Sequence, residues 1–252
     1  MNTSPEYWVA SFEKGLSVIQ SFDWKNPKLT ISQVASSSEI SRSAARRYLL
    51  TMQDLGYVDS DGKFFWLTHK VLRLGASFLE SSLVVTRVQP YLHQLTSETG
   101  ESSFFSVKDH SDVMYIAKAV PNRVTNRGFS IGMYAPLFVT SAGIAIASTL
   151  SESVLNSLLD QYEARKFTQA TELDKSSILN NVHQSHKNGY AVSEKQFDDG
   201  VRGIAVPIHG RSGNLFGAIS INMFASMEDR EESIKRILPK LQKIAMNLQG
   251  IL

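Results

Sequence analysis

The dipeptide Asp61–Gly62 lies between two short runs, YV and KFFWLT, in the stretch YVDSDGKFFWLT, and this constrains the fold more than any other feature. Asp-Gly flanked by alternating apolar residues is a strong signal for a tight hairpin, because glycine accepts the positive φ that such a turn demands. A lone two-stranded ribbon is not stable in water, so something apolar must pack beneath it. Directly before it stands SRSAARRYLLTMQDLG, residues 41–56. Ser41 is placed to cap a helix, Ala45, Tyr48, Leu49, Met52 and Leu55 recur on one stripe, and Gly56 ends it.

Two further helices precede this one. Phe12, Leu16, Ile19 and Phe22 recur at spacings of three and four, which predicts one apolar helix face before Asn26 and Pro27 break the pattern. Thr30 can then cap a short helix, ISQVASSS, with Ile31, Val34 and Ala35 inward. Three helices and a hairpin make a winged helix-turn-helix, expected over residues 8–68. With the apolar stripe of the third helix packed inward, Arg42, Ser43, Arg46 and Arg47 face outward at its N-terminal end. That end of a recognition helix enters a DNA major groove, where an arginine fork can grip guanine or phosphate. The candidate DNA-contacting residues are Thr30, Ser32, Ser41, Arg42, Ser43, Arg46, Arg47 and the hairpin-tip Lys63. The plainer alternative is a solvated charged helix face.

Residues 69–82 read as a linking helix with the stripe Val71, Leu72, Gly75, Phe78 and Leu79. Docking or dimerisation would use it, and so would packing onto the hairpin of the same chain. From 83 to 252 the texture becomes α/β. Helices are expected at 84–98, 139–163, 174–187 and 228–249, and strands in SSFFSVKD, DVMYIAKAV, YAVSEKQ, VRGIAVPIHG and NLFGAISINMF, with a turn at Ser212–Gly213. Strand pairs separated by helices suggest an α+β fold with an antiparallel sheet and flanking helices.

Bulk composition narrows the function classes. The 252 residues contain no cysteine, which rules out disulfides, thiolate catalysis and Cys-type zinc sites. No apolar run approaches the roughly 20 residues of a membrane helix. The polar N-terminal MNTSPEYWVASFEKG lacks the apolar core of a signal peptide, so a cytoplasmic protein is expected. A net charge of +2 means that DNA binding must rest on a local patch. His183 and His186 stand one helical turn apart but lack an evident third ligand, which favours a solvated pair over a metal site. Arg202 and Asp199 beside Gly200 suggest a structural turn pairing. No GxSxG, HExxH, P-loop or dinucleotide motif supports an enzyme, and no cofactor is expected. A winged helix used for protein contact is a further alternative.

Four segments then carry a resemblance that covers essentially the whole chain: ISRSAARRYLLTMQDLGYVDSDGKFFWLTHKVLRLG (40–75), APLFVTSAGIAIAS (135–148), GYAVSEKQFDDGVRGIAVPI (189–208) and SGNLFGAISIN (212–222). In this order they resemble the IclR family of bacterial transcription regulators. SAARRYL and FWLTHKVLRLG are most similar to the branch responding to protocatechuate and 4-hydroxybenzoate. The resemblance implies a GAF-like effector domain that binds a small carboxylic acid, a dimer or dimer of dimers, and control of a catabolic operon. In the effector pocket it implies carboxylate binding at the backbone of Ser141 and Ala142, with Ser193 where some members have an acid and Gly203 at a usually polar or thiol position. Ser220 and Asn222 would be inward polar groups of the last strand, and Met133 and Leu137 an apolar wall. Serine and glycine at these positions predict a wider, less negative pocket that favours an aromatic acid over a small keto acid.

Overall fold

The computed structural model describes residues 5–252 apart from 24 and 123–128, so the first four residues of the polar N-terminal stretch lie outside it. The chain divides into two compact units, Met1–Ser81 and Ser82–Leu252.

The first unit is built from local capping chemistry. Helices α1 (Ala10–Gln20), α2 (Ile31–Ser37) and α3 (Arg42–Asp54) precede the hairpin of β1 (Val58–Ser60) and β2 (Phe65–Leu67). Thr30 and Gln33 form a reciprocal capping box, in which Thr30 Oγ1 accepts from Gln33 N and Gln33 Oε1 accepts from Thr30 N at 2.9 Å. Such a cap stabilises a helix by about 1 kcal/mol. Gly56, at φ +77°, ends α3: Tyr57 N donates to Met52 O and Gly56 N to Gln53 O, the paired bonds of a Schellman motif. The Asp61 carboxylate takes the amides of Lys63 and Phe64, which holds it below its ordinary pKa and fixes the turn at Gly62 (φ +92°). Leu29 exchanges two backbone bonds with Phe65 and adds a one-residue third strand to the wing.

The expected face of α1 is rotated. Val18 and Phe22 are buried, and Ile19 is half-buried. Phe12 is 67% and Leu16 43% exposed. At 100° per residue Phe12 lies about 100° and Leu16 about 140° from the centre of the Val18–Phe22 face, so both turn away from this core. The linking segment is a 3-10 turn, His69–Val71, followed by α4 (Leu72–Ser81). Its stripe does not pack onto the hairpin: Leu72 is 74% and Phe78 55% exposed.

The second unit has helix α5 (Leu83–Thr99) and an antiparallel sheet of six strands, β3 (Ser102–Asp109), β4 (Asp112–Ala119), β5 (Tyr134–Pro136), β6 (Ala191–Glu194), β7 (Val201–His209) and β8 (Leu215–Phe224), in the order β5-β4-β3-β8-β7-β6. Period-two alternation sorts the side chains. Phe105, Ile204, Val206, Ile219 and Ile221 pack against α5 and the closing helix α9 (Arg230–Gln249). Phe104, Ala205 and Ala218 face α6 (Ser141–Ala147), α7 (Glu152–Gln161) and α8 (Lys175–Asn188).

The single helix expected over 139–163 is two. The hydroxyls of Ser148 and Thr149 bond back to the carbonyls of Ala145 and Ile146 at 2.7 and 2.8 Å, competing with helix continuation, and α7 restarts after Ser151. The short strand β5 carries too few residues for a periodic signature. Among the described residues no helix is long and apolar enough to cross a membrane.

Candidate functional site

The two units each present one candidate surface. In the first, burial of Ala45, Leu49 and Met52 turns Arg42, Ser43, Arg46 and Arg47 to solvent on the first two turns of α3. Ser41 Oγ accepts from Ala44 N at 3.2 Å and lies 3.0 Å from Ser43 Oγ, which stiffens that helix end. Among the described residues no ion pair is formed by Arg42, Arg46 or Arg47, so these guanidiniums are free to meet an external anion. Thr30 is tied up in its capping box and is half-buried, while Ser32 is exposed on the first turn of α2. Lys63 stands at the hairpin tip over the Phe64 ring, 5.1 Å from its centroid.

Sequence reasoning missed a second cation on the wing. Lys28 lies 4.3 Å over the Trp66 ring, and the Leu29–Phe65 pairing holds it there. Pairing of a single residue leaves no pattern to read. Lys70 is otherwise employed: its ammonium caps α3 at Leu55 O, 2.6 Å away.

In the second unit the sheet face beneath α6 is stripped to Gly203, Ala205, Ala218 and Ser220, so the helix rests almost on backbone. Against the sheet, contact is closest at Gly203, where a Cβ would stand 2.4 Å from Ser141 Oγ, while Gly143 seats α6 on the segment before it, where a Cβ would stand 2.1 Å from Leu137 O. The N-terminus of α6 therefore meets the sheet at a small cavity of about 20 Å³. Of the expected effector-contacting residues, Ser141, Ser193, Gly203 and Asn222 line it together. Thr140 Oγ1 caps Gly143 N at 3.1 Å, and the amides of Ser141 and Ala142 have no acceptor among the described residues. Ser193 donates to Val139 O at 2.5 Å, so it fastens the approach to α6 while keeping its lone pairs.

The other expected residues lie elsewhere. Met133 and Leu137 do not wall this cavity. Leu137 is buried against Gly143, and Met133 packs half-buried on the same core. Ala142 is buried within α6 and does not line the cavity. Ser220 lies on the same sheet face as Asn222 but outside the lining, fully buried and with its hydroxyl unpaired among the described residues.

The apolar wall is instead aromatic. Tyr115 stacks on Phe129 at 4.2 Å with 7° between the rings, and Phe129 meets Phe197 at 5.4 Å. A bulge between β3 and β4 puts Tyr115 there. The register slips by one residue after Phe105, so Tyr115 pairs with Ser106 and turns to the α6 side beside Phe104. A regular ladder would have sent its ring to the opposite face. Burial pushes the Tyr115 phenol above its ordinary range, so it stands as a neutral hydroxyl beside Thr140. The expected wider pocket is therefore replaced by a narrow one, because these rings fill the space that small residues vacate.

Arg202 also proves different from expectation. It points to the α9 side and pairs with Glu194 at 2.8 Å, with further bonds to Glu228 O and Ser233 Oγ rather than to Asp199. Its hydrogen bond lowers the Glu194 pKa. His183 and His186 are both exposed, as a solvated pair would be, and each meets one neighbour. His183 meets Glu152 at 3.0 Å and His186 meets Ser148 O at 2.6 Å, and among the described residues no cluster of three ligating side chains forms.

Comparisons with known proteins agree across both units. Residues 11–62 match the model of the IclR helix-turn-helix domain, and residues 76–249 match that of the bacterial transcriptional regulator IclR C-terminal domain. The chain is 32% identical to the Pca operon regulatory protein of Acinetobacter baylyi, over 98% of this chain and 90% of that protein. It is 30% identical to the p-hydroxybenzoate hydroxylase transcriptional activator of the same organism, over 98% and 93% respectively. Among solved structures, a transcriptional regulator from Rhodococcus sp. RHA1 superposes with a TM-score of 0.83 at 32% identity, covering 96% of this chain and 97% of that one. With its winged helix-turn-helix and its helix-flanked antiparallel sheet, the chain belongs to the IclR family of bacterial transcriptional regulators.

Proposed function

We propose that this regulator is cytoplasmic and senses a small aromatic carboxylic acid, and that it controls an operon for the breakdown of such an acid. One observation carries the ligand class: the cavity at the N-terminus of α6 sets three aromatic rings, Tyr115, Phe129 and Phe197, against a floor of Ser141, Ser193 and Asn222. A benzoate ring stacks on the former while its carboxylate accepts from the free amides of Ser141 and Ala142, with Asn222 as the polar partner at the side. A two- or three-carbon keto acid would leave the rings without a contact. The name of one Acinetobacter relative, the p-hydroxybenzoate hydroxylase transcriptional activator, supports an aromatic substrate for the controlled pathway.

DNA engagement rests on Arg42, Ser43, Arg46 and Arg47 in the major groove, with Ser32, Ser41, Lys63 and Lys28 at the flanking phosphates. The exposed stripe of Leu72, Phe78 and Leu79 supports pairing of two copies, which would set two winged helices on two half-sites.

The test is a footprint on the DNA upstream of its own gene, with protocatechuate and 4-hydroxybenzoate first in a panel of aromatic acids. Two protected half-sites altered by one acid support the whole reading. Protection altered only by a keto acid removes the aromatic class. No protection at any salt concentration transfers the winged helix to protein contact.

A further inference from the structure

A second recess in the Ser82–Leu252 unit shares no lining residue with the cavity above. It is a cleft of about 290 Å³ where the start of β4, the end of β5 and the segment after α7 meet, and Asp112, Pro136, Tyr162, Glu163, Arg165 and Phe167 line it. Its polar groups are unspent. The Tyr162 hydroxyl is fully covered yet has no hydrogen-bond partner among the described residues, although its ring is held edge-on to Phe138 at 5.1 Å. A covered hydroxyl without a partner is unfavourable, which is why such groups in folded proteins are nearly always satisfied. Asp112 and Arg165 line the same cleft without forming an ion pair, and among the described residues neither side chain makes a hydrogen bond or a salt bridge, although His110 and Arg165 both act on Asp112 through their charge. Burial pushes the Asp112 carboxyl above its ordinary range, and Arg165 offsets only part of that.

The charges define what fits. A simple anion would meet Arg165 but would face the carboxylates of Asp112 and Glu163. A simple cation would leave the guanidinium unmatched. A molecule carrying both charges on neighbouring atoms satisfies both sides, and Phe167 and Pro136 offer an apolar wall for the rest of it. The volume lies near the lower end for ligand pockets, roughly 300–1,000 Å³, which suits a metabolite better than a peptide.

We propose that this cleft is a second small-molecule site, taking a free α-amino acid with an apolar side chain whose carboxylate meets Arg165 and whose ammonium meets Asp112 beside the Tyr162 hydroxyl. The site adjoins the first through the segment that ends it. Phe167 lies 5.0 Å from Phe197, and the hydroxyls of Thr168 and Thr171 hold the carbonyls of Lys195 and Gln196 in the loop that carries Phe197. The binding claim needs no assumption about what the first cavity takes.

The experiment is a calorimetric titration of the full-length protein with L-phenylalanine, L-leucine and L-methionine. Phenethylamine and 3-phenylpropionate, each lacking one of the two charges, serve as controls. Saturable binding of at least one amino acid is expected, with the single-charge analogues weaker by about tenfold or more, the loss of one charge-assisted contact. Arg165→Gln, at an exposed position where folding is not at stake, should weaken binding by a similar factor, and Asp112→Asn likewise. No saturable binding of any of the three amino acids overturns the proposal. So does binding of the single-charge analogues at equal strength, or amino-acid binding that survives Arg165→Gln.

Discussion

Gly203→Ala is the most direct probe of the cavity beneath α6, because the structure fixes what the added methyl meets. It would stand 2.4 Å from Ser141 Oγ, 3.0 Å from Asn222 Oδ1 and 3.2 Å from Ser141 Cβ. The first clash is relieved if Ser141 turns to another staggered rotamer, and the second if Asn222 shifts by a few tenths of an ångström. The third is between carbons, below the roughly 3.5–4.0 Å optimum, and only a retreat of α6 from β7 relieves it. Overpacking of this kind costs about 1–3 kcal/mol. Gly203 does not have positive φ, so alanine also recovers about 0.4–1 kcal/mol from a less disordered unfolded chain. The net loss is on the order of 1–2 kcal/mol, and each kcal/mol lowers the melting temperature of a unit this size by roughly 2–4 °C. The effect on the ligand is larger in proportion, since the methyl occupies the space between Ser141 and Asn222 that the acid is proposed to use. Calorimetry with 4-hydroxybenzoate should show a loss of about tenfold or more, equivalent to about 1.4 kcal/mol. Gly203→Ala combined with Ser141→Gly removes two of the three close contacts and should recover most of the stability. Unchanged acid affinity in the stable single variant would refute the assignment of this cavity as the effector site.

The remaining expectations concern the other elements. Arg47→Ala should weaken operator binding by about 1–3 kcal/mol in a gel-shift titration while acid binding is preserved, and equal loss of both would sink the separation of roles. Asn222→Leu should abolish the effect of the acid on the footprint and leave DNA affinity without acid as it was; an unchanged response removes Asn222 from the pocket. Glu194 and Glu228 are held below the ordinary glutamate value of 4.5, chiefly by hydrogen bonds from Arg202 and Arg236. A depressed folded-state pKa adds stability above the unfolded value and loses it as pH falls through the folded one. The thermal midpoint should therefore begin to drop below about pH 4.5, and Glu194→Gln with Glu228→Gln should flatten that limb. An identical slope in the double variant would show that other carboxylates control it.

What was legible in the sequence follows the range of the interactions involved. Thr30, Ser41, Gly56 and Asp61–Gly62 act on backbone groups within a few residues, and each cap or turn stands where its residue type required. The sheet was legible for a related reason, since the alternation in ISIN, residues 219–222, sorts two faces without knowledge of partners. The cavity wall was not. Tyr115, Phe129 and Phe197 come from a strand, a loop and a hairpin turn, and only the bulge at Phe105–Ser106 brings Tyr115 to the others. A bulge is a property of two strands in register, and one strand read alone carries no mark of it. Met133 and Leu137 were plausible in their place because both are apolar and close in sequence to Ser141, but Leu137 is consumed in seating Gly143. The exposed Phe12 and Leu16 follow the same logic: helical periodicity counts apolar residues without distinguishing a buried face from an exposed one.

The narrowness of the cavity bears on how the proposed regulation could operate. About 20 Å³ is room for little more than one water molecule, so a benzoate enters only if part of the wall moves. Tyr115 is anchored in the sheet, and Ser141 is held between Gly203 and the Thr140 cap, which leaves the two rings carried on loops, Phe129 and, set between it and Phe167, Phe197. Phe197 is half-buried on the six-residue loop between β6 and β7, where Lys195 has positive φ. Binding then selects an arrangement of that loop distinct from the one described, and a ligand shifts an equilibrium only by its differential affinity for the two arrangements. The same loop leads into Arg202, whose side chain crosses to the opposite face of the sheet and secures the start of α9 through Glu228 O and Ser233. A wall that must open to admit the acid is thus coupled by covalent continuity to the ion-pair network on the other side of the sheet. A rigid, preformed pocket would bind the acid more tightly but would leave nothing for it to regulate.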